Sequence, residues 1–227
     1  EVFRDDERLF DEMVAKVPRS ARARYCVAIE AWERGEALRA ELSARKAVAI
    51  FPRHYDAWRL LGLAADRKGR TEEARRCVGE ALRLRPDDER SLAALARIEG
   101  EAGRPGEAER LFLDGLRRFP RSRLLLERRA AFLDARGRPA EAREAWLAAL
   151  SEGSGASARI GLARSLVALG RGGEAFAEAR RAMTASPSSL EPRLLVAEIH
   201  ERAGRPLAAA SELADACRAR PFDPVPA

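Results

Sequence analysis

The sequence predicts an all-α fold, an open solenoid of repeated helical hairpins. Three sets of residues predict it, and all keep one period. Glycine stands at 35, 69, 103, 137, 170 and 204, so the steps are 34, 34, 34, 33 and 34. At ordinary glycine usage, chance would register five further glycines with odds of about one in a million. Proline keeps the same interval at Pro52, Pro86, Pro120, Pro187 and Pro221. The vacant place falls at Ser154, where the one shortened step occurs. Small residues form three rows: Ala28, Gly62, Ala96, Ala130, Ala163, Ala197; then Ala40, Ala74, Ala108, Ala142, Ala175, Ala209; then Ala47, Ala81, Gly115, Ala149, Ala182, Ala216. A fixed period of this size marks a repeat array in which each unit stacks on its neighbours.

Each unit reads as two helices. In the second unit the first helix runs from Asp56 to about Lys68, with Trp58, Leu61 and Ala65 spaced three and four apart on one face. Gly69 stops it as a left-handed C-terminal cap. The second helix begins near Thr71, Pro105, Pro139 or Pro206, where a Thr cap or a Pro in the first turn suits a helix start. Glu73, Glu107, Glu141 and Glu174 then occupy the first turn, where the helix dipole favours negative charge. Pro86 and its equivalents end it. The small rows let paired helices approach closely, and larger side chains would force them apart.

With these residues in place, the chain resembles the tetratricopeptide repeat (TPR) family. Residues 55–88 carry the likeness best, through Trp58, Leu61, Gly62, Ala74, Ala81 and Pro86, with Ala65 where the family has Tyr. Leu92, Leu126, Arg159 and Arg193 take the Trp place in later units. The resemblance implies a right-handed α-solenoid (superhelix) of six repeats: 21–54, 55–88, 89–122, 123–155, 156–189 and 190–223. Residues 1–20 continue the register backwards through Phe10, Met13 and Pro18, with Asp6 in an alanine place, as a capping half-repeat or the remainder of an upstream repeat. Residues 224–227 form a short tail. Without a polar capping helix, the last repeat is expected to expose Leu207, Leu213 and Cys217. That end is a candidate for self-association or for continuation into further sequence.

Composition narrows the function. The 227 residues carry a net charge of +6, almost all the basic side chains being Arg, with Lys only at 16, 46 and 68. Abundant Arg, Ala and Gly together point to a GC-rich, bacterial genome rather than to a nucleic-acid surface, because acidic residues are interleaved nearly everywhere. Nucleic acid is therefore a disfavoured partner. No run approaches 18 apolar residues, so no membrane span is expected. Asn and Gln are absent, which removes the amide half of the carboxylate clamp found in co-chaperone members of the family. Cys26, Cys77 and Cys217 have no CxxC spacing and read as small core or semi-buried residues. His54 and His200 lie about four repeats apart and cannot converge in a solenoid; each reads as solvated or packing. The ERR and EAER segments read as local, salt-bridged, solvated faces. No GxxxxGK[ST] occurs, and the GRGG stretch at 170–173 is a turn in register. The reading is of a non-catalytic chain needing no metal and no cofactor.

What remains is surface. The resemblance implies that first helices line a concave groove. The matched positions are Arg22, Tyr25, Ile29 and Trp32, then Asp56, Arg59, Leu63 and Arg67. Arg90 and Arg97 follow, then Glu127 and Ala131, Ile160 and Arg164, Leu194 and Glu198. Such a lining suits a protein or peptide with an apolar anchor and acidic flanks, since Arg binds carboxylates as a fork. Tyr25 and Trp32 can equally pack between helices. The expected function is an interaction scaffold or adaptor. The alternatives are a docking domain of a larger enzyme and a bacterial cell-envelope assembly factor of the pilotin kind. The expected compartment is the cytoplasm, or the periplasm or outer membrane if a signal segment was removed.

Overall fold

The computed structural model describes residues 17–219 except 18 and 188. The half-repeat residues Asp6, Phe10, Met13 and Pro18, and Pro221 with the tail, lie outside the described residues. Among those described, twelve α-helices and no strand occur, in six hairpins. The chain divides into two compact units, Glu1–Phe119 and Pro120–Ala227. The first holds α1 (Ala21–Glu33), α2 (Ala37–Ile50), α3 (Tyr55–Arg67), α4 (Thr71–Leu84), α5 (Glu89–Glu101) and α6 (Pro105–Arg118). The second holds α7 (Arg123–Ala135), α8 (Pro139–Ser151), α9 (Ala156–Ala168), α10 (Gly172–Ala185), α11 (Glu191–Arg202) and α12 (Pro206–Ala219). The expected all-α class of helical-hairpin repeats is what the structure shows.

The registered glycines do what their period implied. Gly69 has φ +69°, and Arg70 N–H reaches back to the Ala65 carbonyl at 3.0 Å. An L side chain is strained there, so glycine marks the end of each first helix. The three small rows are buried throughout, with alanines such as Ala28, Ala74 and Ala149 fully out of solvent. At Gly62 and Gly161 even a methyl is too large. A Cβ on Gly62 would come within 2.5 Å of Val78, and one on Gly161 within 2.4 Å of the Trp146 ring.

The shortened step also has a local cause. Helix α8 has 13 residues where every other second helix has 14. It closes on Gly153, at φ +88°, with Ser154 N–H donating to the Ala149 carbonyl at 3.1 Å. A glycine closure replaces the proline stop one residue early.

Two readings of helix starts need correction. Thr71 is not a cap: it is the first residue of α4, and Arg70 ahead of it makes no side-chain cap bond. The working caps stand before the first helices. Ser20, His54, Asp88 and Ser122 each accept an N–H three residues on, from Ala23, Ala57, Ser91 and Leu125. His54 starts α3 at Tyr55, one residue earlier than predicted. Cys26 is half-buried and Cys77 buried, but Cys217 is exposed. It sits on α12 beside Leu213, also exposed, while Leu207 is 87% exposed at the head of that helix.

Candidate partner-binding face

In the first unit, α1, α3 and α5 carry the predicted positions at matching heights. Tyr25, Ile29 and Trp32 are half-buried, resting on a core that includes Ala28, Ala57, Leu60 and Leu61, and Leu63 is half-buried as well. The Tyr25 ring lies 4.7 Å from that of His54, tilted by 48°. Burial pushes the Tyr25 hydroxyl up to about 12, aided by Asp56 and opposed by Arg59 and Arg90. Tyr25, Asp56, Arg59 and Arg90 therefore share one electrostatic neighbourhood. The Arg67 guanidinium covers the Trp32 ring at 4.1 Å, a cation–π contact.

The arginines divide into two kinds. Arg59 is only 14% exposed; it holds Asp56 at 2.6 Å and lies 3.6 Å from Asp88, the N-cap of α5. Arg97 joins Asp66 of the preceding repeat and holds Glu101 at 2.6 Å. These two fasten one repeat to another. Arg22, Arg67 and Arg90 are exposed, and among the described residues no carboxylate is paired with Arg22 or Arg90. Of the predicted positions in the second unit, Arg164 pairs with Glu191 at 2.9 Å, and Leu194 is exposed. Ile160 lines no groove: at 4% exposure it belongs to the core around Trp146 and Leu162. The same place of the third repeat, Ala93, is buried too.

The charge pairing also goes beyond the local faces expected of ERR and EAER. Glu41, with its side chain 8% exposed, lies 2.6 Å from both Lys68 and Arg70 and 2.9 Å from Arg45. Glu73 takes Arg45 and Arg70 at 2.8 Å. Arg70, with Lys68 and Arg45, holds the Glu41 carboxyl down at about 2, against its burial. Glu99, 3% exposed, binds Arg75 and Arg104, which also share Glu72. Partners 24 to 32 residues apart in sequence meet here, so these networks seal junctions between repeats.

The histidines have structural work. His54 Nδ1 accepts the Ala57 N–H at 3.3 Å, and burial lowers its pKa. His200 stands edge-on to Phe176, with ring centroids 5.3 Å apart. Among the described residues, no helix is long and apolar enough to cross a membrane.

Stacked hairpins, close-packed through alanine, define a helical-repeat protein. Two tetratricopeptide repeat models match the sequence, one over residues 31–98 and one over 93–157, 133–189 and 160–224. The chain belongs to the tetratricopeptide repeat family, in general a non-catalytic module for protein–protein interaction. No curated protein matches it in sequence. Solved structures share its fold at low identity. A chain of the APC/C hetero-tetramer Cut9-Hcn1 superposes with a TM-score of 0.82 at 15% identity, over 98% of this chain and 44% of that one. PilW, a widely conserved type IV pilus biogenesis factor, gives 0.77 at 18% identity, over 90% and 95%. Pseudomonas aeruginosa PilF gives 0.72 at 19%, over 89% and 93%. The chain thus spans less than half of the first of these and nearly all of the other two.

Proposed function

We propose that the first-helix face of residues 21–101 captures a partner polypeptide, as part of an adaptor that organises a complex. The observation that carries this is the strip of Tyr25, Ile29, Trp32 and Leu63, half-exposed and bordered by the outward arginines Arg22, Arg67 and Arg90. An apolar anchor gains by covering the strip. Acidic residues beside it gain charge-assisted bonds to arginines that hold no carboxylate of their own. Arg59 and Arg97 serve the face from below, holding α3 and α5 in place. Capture is tested with the full chain as bait, against a Trp32→Ala, Arg90→Glu double variant and an Arg110→Glu control on the exposed side of α6. Partners retained by the control and lost by the double variant support the face. Equal capture by all three baits sinks it.

A second reading places the chain in assembly of a cell-envelope machine. The near-complete coverage of PilW and PilF favours it. Deleting the gene should then abolish surface pili or pilus-driven motility, and unchanged piliation would remove this reading.

A further inference from the structure

We propose that the second unit holds a binding pocket for a small amphipathic carboxylate, a molecule with an apolar body and one terminal acid group. The pocket is a cavity of about 480 Å³ between the fifth and sixth hairpins. That volume lies in the usual range for small-molecule sites. Its wall is aromatic and aliphatic, built by the edge-on pair Phe176 and His200 with Val167 and Ile199.

Two features make the space more than a packing fault. The first is the glycine pair Gly172 and Gly173 in the opening turn of α10, where other repeats place Thr71 and Glu72, Pro105 and Gly106, or Pro139 and Ala140, so that only here are both glycine. Neither glycine has a positive φ, and a Cβ on either would meet nothing within 4 Å. Glycine costs a helix backbone entropy relative to alanine, and here no turn or close approach demands it. What the missing side chains leave is the open pocket that both residues line.

The second feature is an arginine without its customary partner. Arg70, Arg138 and Arg171 each follow the turn glycine and hold the Glu three residues on. In the sixth repeat that place is Ala208, and Arg205 has no ion pair among the described residues. Arg205 lines the pocket together with Arg202. Of the carboxylates on these helices, Glu198 is held by Arg202 and Glu174 by Arg171, while Glu201 has no ion pair among the described residues. An incoming acid group therefore has, on the same lining as the aromatic wall, an arginine that holds no ion pair among the described residues.

The test is titration of ¹⁵N-labelled full-length chain with 1-naphthylacetate, followed by amide chemical shifts. Saturable shifts confined to Gly170, Gly172, Gly173, Ala203 and their neighbours are expected. The neutral 1-naphthylacetamide should bind about tenfold more weakly, because the charge-assisted contact is lost. Gly173→Leu should fill the pocket, keep or raise the helicity of α10, and abolish the shifts. If that variant does not fold, Arg205→Ala decides the matter by making acid and amide bind alike. Shifts scattered over other hairpins, an amide that binds as tightly as the acid, or a folded Gly173→Leu that still binds would each overturn the proposal.

Discussion

The two units solve one problem with different chemistry. Stacking hairpins leaves a junction to be sealed between the second helix of one repeat and the first helix of the next. In the first unit the seal is ionic, and Arg75 reaches Glu99 at 2.6 Å. In the second unit the same two places of the repeat hold Phe176 and His200, ring against ring. There too, the Trp146 indole donates to Asp134 at 2.7 Å, and the Ser165 hydroxyl donates to the other oxygen of that carboxylate at 2.7 Å. The backbone tolerates either solution because the buried rows of small residues keep the helices close in both units. What lies at the rim of a junction is free to vary, and with it the response to salt and acid.

Deletions that strike each seal should separate the units most. Trp146→Ala is expected to cost about 3–5 kcal/mol through loss of a buried ring and the cavity left behind. Glu41→Ala is expected to cost about 3 kcal/mol by leaving cations crowded without their carboxylate. Amide exchange read helix by helix should place the first loss in α8 and α9 and the second in α2 to α4. If either loss spreads evenly over both units, the seals are not local and the comparison fails.

Acid should act first on the first unit. Glu41 is held near 2, well below its ordinary 4.5. Its contribution is full above pH 4.5 and disappears as the pH falls toward 2. Protection in α2 to α4 should therefore weaken in that window before protection in α9 to α11.

His54→Ala should cost about 1 kcal/mol, the value of a lost N-cap, with α3 fraying first. Its pKa lies below the ordinary 6.5, so the cap is intact above pH 6.5 and is lost as acid protonates the nitrogen that accepts the Ala57 N–H. The smallest effect expected is that of the exchange Arg75→Phe with Glu99→His, which copies the ring seal into the first unit. Its stability should stay within about 1 kcal/mol of the parent, because a buried ion pair and a well-packed apolar pair differ little. The telling change is a weaker dependence of unfolding on salt; an undiminished dependence would show that the ionic seal resides elsewhere.

Much of the fold was legible because each hairpin needs a few residues that tolerate no substitute. A turn at positive φ selects glycine, and a helix crossing at close range selects alanine, so Gly69 and Ala74 repeat visibly. The charge networks were not legible. Glu41 and Arg70 are 29 places apart, in a sequence where acid and base alternate everywhere, and nothing local distinguishes a sealing pair from a solvated one. For the same reason Arg59 and Arg97 looked like free groove arginines. The caps at Ser20, His54, Asp88 and Ser122 did leave a signal, since they keep the 34-residue step, but their differing residue types hide it. Ile160 sat in register with groove positions, but its place is that of Ala93, which is buried as well.

The early end of α8 bears on how such chains grow. The missing residue falls after Ala149, in the last turn of α8, while the connection to α9 keeps its four residues, so every interior alanine after it resumes its place. Gene duplications and unequal crossovers that rejoin hairpins imperfectly therefore need not be purged, provided the error lands where a glycine can close the helix. Copy number in such a gene can drift without dissolving the protein it encodes.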